Sequence, residues 1–370
     1  MPAFTPLMMA LGLLLAPAAQ AAGASAAKEI AVKITHIAAG GMHSMLLAEG
    51  GQLWSMGNNS HGQLCDGGDT ARRTPVKVLS GVRAVAPGGV HSLVLKMDGS
   101  LWACGGNESG QLGRGDTSDA KQPVKIMDGV TAIAAGAAHS LALKSDGSLW
   151  AFGRNVYGQL ATGDTDNRAT PVKVMDGVKA MSAGESHSLF LKLDGSLWAV
   201  GANTNSQLGN GTRASTSQPM KVMDGVAALA AGGHHSMALG QDGGVWVFGF
   251  NGGGQLGDGG NVNRQAPYRL LDGARAVSAG QQHSLVLTRA GEVLAFGYND
   301  SGRLGTGGEA DAHTPVAVAE GVAQIAAGGS HSLLLRPDGS VWVAGSNGSG
   351  QVGLGPGVRE ALAWQPLALP

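Results

Sequence analysis

Seven histidines, each followed by serine, are the first residues in this chain whose spacing invites a chemical reading. His43, His91, His139, His187, His235, His283 and His331 recur at a constant interval of 48 residues. A set of imidazoles could hold metal, but if each opens an equivalent sheet, facing sheets pack about 10 Å apart. Zinc needs its nitrogens at about 2.0–2.1 Å, so neighbouring histidines cannot share an ion. A histidine at the same place in every unit is expected instead to pin loop backbone through hydrogen bonds. The glutamines Gln63, Gln111, Gln159, Gln207, Gln255 and Gln351, with Arg303 in the seventh place, invite the same reading, since a residue identical in every unit holds the unit.

Other chemistry is sparse. Gly252-Gly-Gly-Gln-Leu-Gly257 matches a dinucleotide fingerprint, but no helix follows and the segment is one copy of a repeated Gly-Gln-Leu-Gly loop. Asp164-Thr165-Asp166-Asn167 has calcium-type oxygens without the rest of an EF-type loop, and is read as a solvated turn. No Walker loop, zincin helix, nucleophile elbow or zinc-type cysteine spacing is present. No catalytic residue, metal or cofactor is therefore expected, and the chain does not read as an enzyme.

The elements that position these residues follow from the period. In the third copy, Val130–Gly136, His139–Lys144, Ser148–Gly153 and Pro171–Met175 are apolar segments of strand length. Asp-Gly pairs punctuate them: Asp146-Gly147 between the second and third segments is read as a two-residue hairpin, and Asp128-Gly129 precedes the first. Each unit is then a four-stranded antiparallel sheet. One such sheet cannot bury both faces, so the units must pack on each other, and radial closure needs no polar end caps. The expected fold is all-β, a seven-bladed β-propeller over residues 34–370. Trp54, Trp102, Trp150, Trp198, Trp246 and Trp342 share one place on the third strand, with Leu294 the exception, and are read as blade-to-blade core.

Composition agrees. Glycine supplies 62 of 370 residues, more than twice the ordinary share of about 7%, and the repeated turns and loops absorb it. Lys+Arg and Asp+Glu number 25 and 26, giving a net charge of -1. That balance provides no concentrated positive face for nucleic acid. With 43% hydrophobic residues the chain does not read as disordered, and its glycines lack the three-residue period of collagen.

Residues 7–16 are a short apolar run, followed by Ala19-Gln20-Ala21. This reads as a signal peptide over residues 1–21 cleaved near Ala21, which places the protein in the periplasm or outside the cell. No later stretch reaches eighteen apolar residues, so no membrane span is expected. Whether Cys65 and Cys104 pair is left open by the sequence. The last blade is expected to take its outer strand from Trp364–Leu369, with Lys28–Val32, in the N-terminal segment 22–33, as the alternative closing strand.

The repeated Ala-Gly-x-x-His-Ser, Leu-Trp-x-x-Gly-x-Asn and Gly-Gln-Leu-Gly signatures resemble the RCC1 (regulator of chromosome condensation) repeat family over about residues 34 to 355. The resemblance implies the same seven-bladed propeller. Its founding members are guanine-nucleotide exchange factors for a Ran-type GTPase that also contact chromatin, using a wedge inserted in a blade. Here no interval between His-Ser pairs exceeds 48 residues, which leaves no room for that wedge inside the array. The family also includes secreted bacterial propellers, one a β-lactamase inhibitory protein that covers an enzyme's active site with one propeller end.

Function is therefore sought where the repeat breaks. Strand direction puts the loop before each His-Ser and the loop after each Gly-x-Asn at one end. Their non-repeating residues gather Arg154, Tyr157, Glu185, His234, Phe250, Gln281, Gln282, Tyr298 and Asp300. Aromatics and arginine on supported loops suit a protein partner. The expectation is a monomeric, exported, non-catalytic scaffold for an unidentified protein. The alternatives are an RCC1-like exchange factor and a carbohydrate- or cell-wall-binding propeller.

Overall fold

The computed structural model describes residues 32–369. The apolar run 7–16, the cleavage site near Ala21 and Lys28–Ala31 lie outside them, and Val32 belongs to no strand. The described chain forms seven four-stranded antiparallel sheets, each made of consecutive strands. In the third blade these are Val130–Ala135, His139–Lys144, Leu149–Gly153 and Arg168–Met175, from the axis outward. The second strand, His-Ser-Leu-Ala-Leu-Lys, is buried in all but its last residue. A strand covered on both faces by neighbouring sheets reads as an apolar run, which is why alternation is weak there.

Each of the seven cores lies between two blades. Leu93, Leu95 and Leu112 of the second blade meet Val130, Ala142 and Phe152 of the third. Leu46 and Met56 of the first blade meet Leu333, Val343 and Leu367 of the last in the same way. The chain is thus an all-β seven-bladed propeller. Glu360–Pro366 is the outer strand of the last blade, paired to Val341–Ser346, so the C-terminal segment completes that blade. Among the described residues no strand is shared between the first and last blades, and the ring closes there through side chains and loops.

One local reading needs correction. The hairpin at Asp146-Gly147 has three loop residues: Lys144 N–H donates to the Ser148 carbonyl, and Gly147 N–H to the Lys144 carbonyl. Only Gly147 takes a positive φ, of 79°. Asp146 is favoured because its carboxylate accepts the Ser148 N–H and hydroxyl. The tryptophans do belong to the interblade packing, but at different depths: Trp54 is buried in its core, whereas Trp102, Trp150, Trp198, Trp246 and Trp342 are half-buried at the rim of theirs. Their indole N–H groups need an acceptor, found in Ser100, Ser148 and Ser196 for three of them. Lys96, Lys144 and Lys192 cover the same three rings at 4.2, 4.8 and 4.6 Å. Among the described residues, the phenylalanine rings Phe152, Phe190, Phe248 and Phe296 are fully buried.

Cys65 and Cys104 form a disulfide between the first and second blades, with their Cα atoms 5.6 Å apart. Comparison of the repeats explains their places. The position of Cys65 is glycine in five other blades, and there the next blade presents a large side chain. A Cβ on Gly113 would stand 2.7 Å from the Phe152 ring, one on Gly209 2.6 Å from Phe248, and one on Gly257 2.8 Å from Phe296. Where the partner shrinks to Val200, the glycine becomes Ala161, in the same core. The disulfide fills the same space covalently. Cys65 and Ala161 both hold φ of 62°, the left-handed conformation inherited from the glycines.

Closing a 39-residue separation constrains the unfolded chain by about 4 kcal/mol in the loop-entropy treatment. Replacing both cysteines by serine should lower stability by about 3–5 kcal/mol. The Cys65→Gly/Cys104→Phe pair, which copies Gly113 and Phe152, should recover at least half of that loss in denaturant titrations.

Candidate functional site

The repeated histidines stand immediately beneath the variable loops, and their partner is serine rather than loop backbone. His43 Nε2 lies 2.8 Å from Ser92 Oγ of the next blade. The same bond joins His91 to Ser140, His139 to Ser188, His187 to Ser236, His235 to Ser284 and His283 to Ser332 at 2.8–2.9 Å. His331 returns to Ser44 at 2.8 Å and closes the cycle. It is the serine that holds the loop: Ser92 Oγ donates to the Gln63 carbonyl at 2.7 Å, and Ser332 donates likewise to Arg303.

This arrangement fixes the proton. A serine hydroxyl has one hydrogen, and a carbonyl can only accept, so the serine donates to the carbonyl and accepts from Nε2–H. All seven Nδ1 atoms are then bare acceptors, buried without a partner. Each backs onto the glycine that starts its loop, so that a Cβ on Gly40 would meet the His43 ring at 2.7 Å and the Gly88 carbonyl at 2.7 Å. These glycines carry a second cycle of bonds: Gly41 N–H donates to Gly88 O, Gly89 to Gly136, and onward until Gly329 donates to Gly40 at 3.0 Å. The two cycles surround a narrow axial channel walled by alanine, glycine and proline, with Glu185 and Gln281 added.

The second loop is braced separately. Asn59 Oδ1 accepts the Leu64 N–H at 2.9 Å, and the equivalent bond occurs in all seven blades. Gln159 Oε1 accepts the Tyr157 N–H at 3.0 Å, which fixes the backbone that carries this tyrosine. Blade six departs from the pattern: Ser301 N–H turns to Glu309, while Arg303 lies buried against the Asp300 and Gly329 carbonyls. In the Asp164 turn, the carboxylate accepts from Asp166 N–H, Thr162 and Asn155 and pairs with Arg168, so its oxygens are engaged by donors. Among the described residues, no three His, Cys, Asp or Glu side chains cluster to hold a metal.

The two variable loops meet at one end. Arg154 N–H donates to the Ala138 carbonyl, Phe250 to His234 and Tyr298 to Gln282, at 2.8, 2.9 and 3.0 Å. Arg154, Tyr157, Gln281 and Asp300 are exposed, whereas Glu185, His234, Gln282, Phe250 and Tyr298 are half-buried. The fold brings Glu185, His234 and Phe250 together: His234 Nε2 lies 3.6 Å from the carboxylate, and its ring meets Phe250 edge-on at 6.4 Å. Tyr298 lies over Gly253 of the preceding blade, and Asp300 stands 3.5 Å from Arg303. Arg154 and Tyr157 are carried apart, on blade three. Met42 and Val156, 51% and 44% exposed at the same end, were not singled out from sequence. The signal for them was an apolar side chain at a non-repeating loop position.

Burial pushes His43 and His139 down to about 4, and His91, His187, His235 and His331 down to about 3. His283 is also lowered well below its ordinary 6.5. Because the folded value lies below the unfolded one, the stabilisation is complete above about pH 6.5 and is lost as pH falls toward the folded values. Within that window each histidine costs about 1.4 kcal/mol per pH unit, and seven together about 10, against a total stability of about 5–15 kcal/mol. Cooperative unfolding should therefore occur on acidification before pH 4, followed by circular dichroism. Ser92→Ala orphans His43 Nε2–H and the Gln63 carbonyl, and should cost about 2–4 kcal/mol at pH 7.5.

The comparisons with known proteins agree with this architecture. The RCC1-like domain model matches residues 15–271. Models of the regulator of chromosome condensation (RCC1) repeat match residues 290–335, and also 274–303 and 322–351. A search of curated protein sequences finds no significant match. Among solved structures, yeast RCC1 (Prp20) bound to Kap60 is 23% identical with a TM-score of 0.77, over 91% of this chain and 85% of that one. Saccharomyces cerevisiae Prp20p, in a study of its binding to Gsp1p and histones, is 24% identical with a TM-score of 0.76, over 91% and 88%. Human WBSCR16 is 25% identical with a TM-score of 0.75, over 83% and 88%. With its His-Ser cycle closed through seven equivalent blades and the domain model covering most of its length, this chain belongs to the RCC1-like repeat family.

Proposed function

We propose that this chain is an exported, non-catalytic scaffold that binds a protein partner through the loop end of its propeller. The observation that carries this reading is a division of labour at that end. Residues that recur from blade to blade are consumed in the His-Ser cycle and the asparagine and glutamine braces. The residues that differ stand above them, and include Tyr157 at 42% exposure together with Met42, Val156, Phe250 and Tyr298. Apolar and aromatic side chains on a preorganised platform lose little entropy on binding, which favours a tight interface.

Export is supported by the apolar leader and by the Cys65–Cys104 disulfide, since oxidising compartments preserve such bonds. Yeast RCC1 is solved bound to another protein, Kap60, which illustrates that the fold can serve protein recognition without naming a partner here.

Replacing Tyr157, Phe250 and Tyr298 together by alanine should leave the circular dichroism spectrum and thermal midpoint unchanged, because none belongs to an interblade core. Capture of a partner from the exported fraction should be abolished. Unchanged capture would contradict the assignment of this end, binding to isolated cell wall would favour the carbohydrate reading, and an uncleaved protein confined to the cytosol would favour nucleotide exchange.

A further inference from the structure

We propose that the mouth of the axial channel, between blades four and six, receives a basic side chain, arginine or lysine, from the protein partner. This deepens the loop-end reading and rests on it. The channel wall is alanine, glycine and proline apart from Glu185 and Gln281. These two flank Gly233 of blade five, which the Gln281 backbone approaches so closely that a Cβ there would stand 2.5 Å from the Gln281 carbonyl.

The Glu185 side chain is 42% exposed, and the nearest ring nitrogen, His234 Nε2, stands 3.6 Å away, beyond a good hydrogen bond. Its carboxylate accepts no hydrogen bond among the described residues, and a half-buried carboxylate without a donor is a site that gains from one. Gln281, which also lines the axial pocket, reaches toward blade seven: its Oε1 lies 3.3 Å from where a Cβ on Gly329 would stand. The site thus offers a carboxylate and an amide oxygen, with Phe250 packed edge-on to His234 at its side and Tyr298 on the next blade. Aromatic faces beside such acceptors attract guanidinium or ammonium groups.

Charge at this end points the same way. The loops of this end carry twelve carboxylates, Glu108, Glu185, Asp300 and Glu309 among them, against the five arginines Arg114, Arg154, Arg213, Arg303 and Arg359. Arg303 is buried and committed to Asp300 and the Gly329 carbonyl. An acidic partner would meet like charge, whereas a basic one is steered inward.

The test is fluorescence anisotropy with a fluorescein-labelled peptide alternating arginine and glycine, and its aspartate counterpart, on the whole folded protein. The arginine peptide should bind and weaken with salt, the aspartate peptide should not bind, and Glu185→Gln should weaken binding at least fivefold. Asp128→Asn, at the turn end, should leave binding unchanged. Equal binding by wild type and Glu185→Gln, or an equal loss in Asp128→Asn, would overturn the proposal. Partner capture lost in the triple aromatic variant but fully kept in Glu185→Gln would overturn the basic side chain while leaving the scaffold reading intact.

Discussion

Each serine hydroxyl in the His-Ser cycle is held from both sides by the preceding blade, by its histidine and by the carbonyl at its glutamine position. The rest of the structure depends on this. Because the hydroxyl has one proton, the bond order runs one way around the ring: imidazole to hydroxyl to carbonyl, seven times, ending where it began at His331 and Ser44. Blade packing and loop position are therefore not independent. A loop that shifts withdraws the carbonyl, leaves a buried hydroxyl unsatisfied and loosens the next interface. The cycle also closes the propeller, since among the described residues the first and last blades share no strand.

That coupling explains why the loop end can be both varied and rigid. The backbone beneath each variable residue is tied to the cycle, to the glycine ring at the axis and to the asparagine brace. Substitutions such as Tyr157 or Glu185 then change what is displayed without changing where it is displayed. Blade six shows the limit, for exchanging glutamine for Arg303 required Glu309 to take over the lost acceptor. The disulfide follows the same logic at the core, with cysteine sulfurs filling space that glycine and phenylalanine fill elsewhere.

The period of 48 made the blade count, strand order and outer C-terminal strand readable in advance, because those follow from hydrophobic pattern and turn residues. What escaped the sequence were relations between blades. The partner of His43 is 49 residues away at Ser92, and a single repeat viewed alone offers nearer loop backbone as the obvious acceptor. The depth of the tryptophans was not legible, since Trp54 is buried in its core whereas the other five stand at the rim of theirs. The cysteine pair was ambiguous because the two occupy different places in the repeat, and only the interblade register puts those places opposite each other. The loop residues were legible as a set, but Glu185, His234 and Phe250 converge only because blades four and five are neighbours.

The most direct measurement of the central claim is nitrogen NMR of the imidazoles in the folded protein across the pH range 7.5 to 5.5. The His-Ser cycle predicts seven histidines fixed in the Nε2–H tautomer, with bare Nδ1 and no titration in that range. Seven rings that titrate near pH 6.5, or that carry their proton on Nδ1, would contradict it.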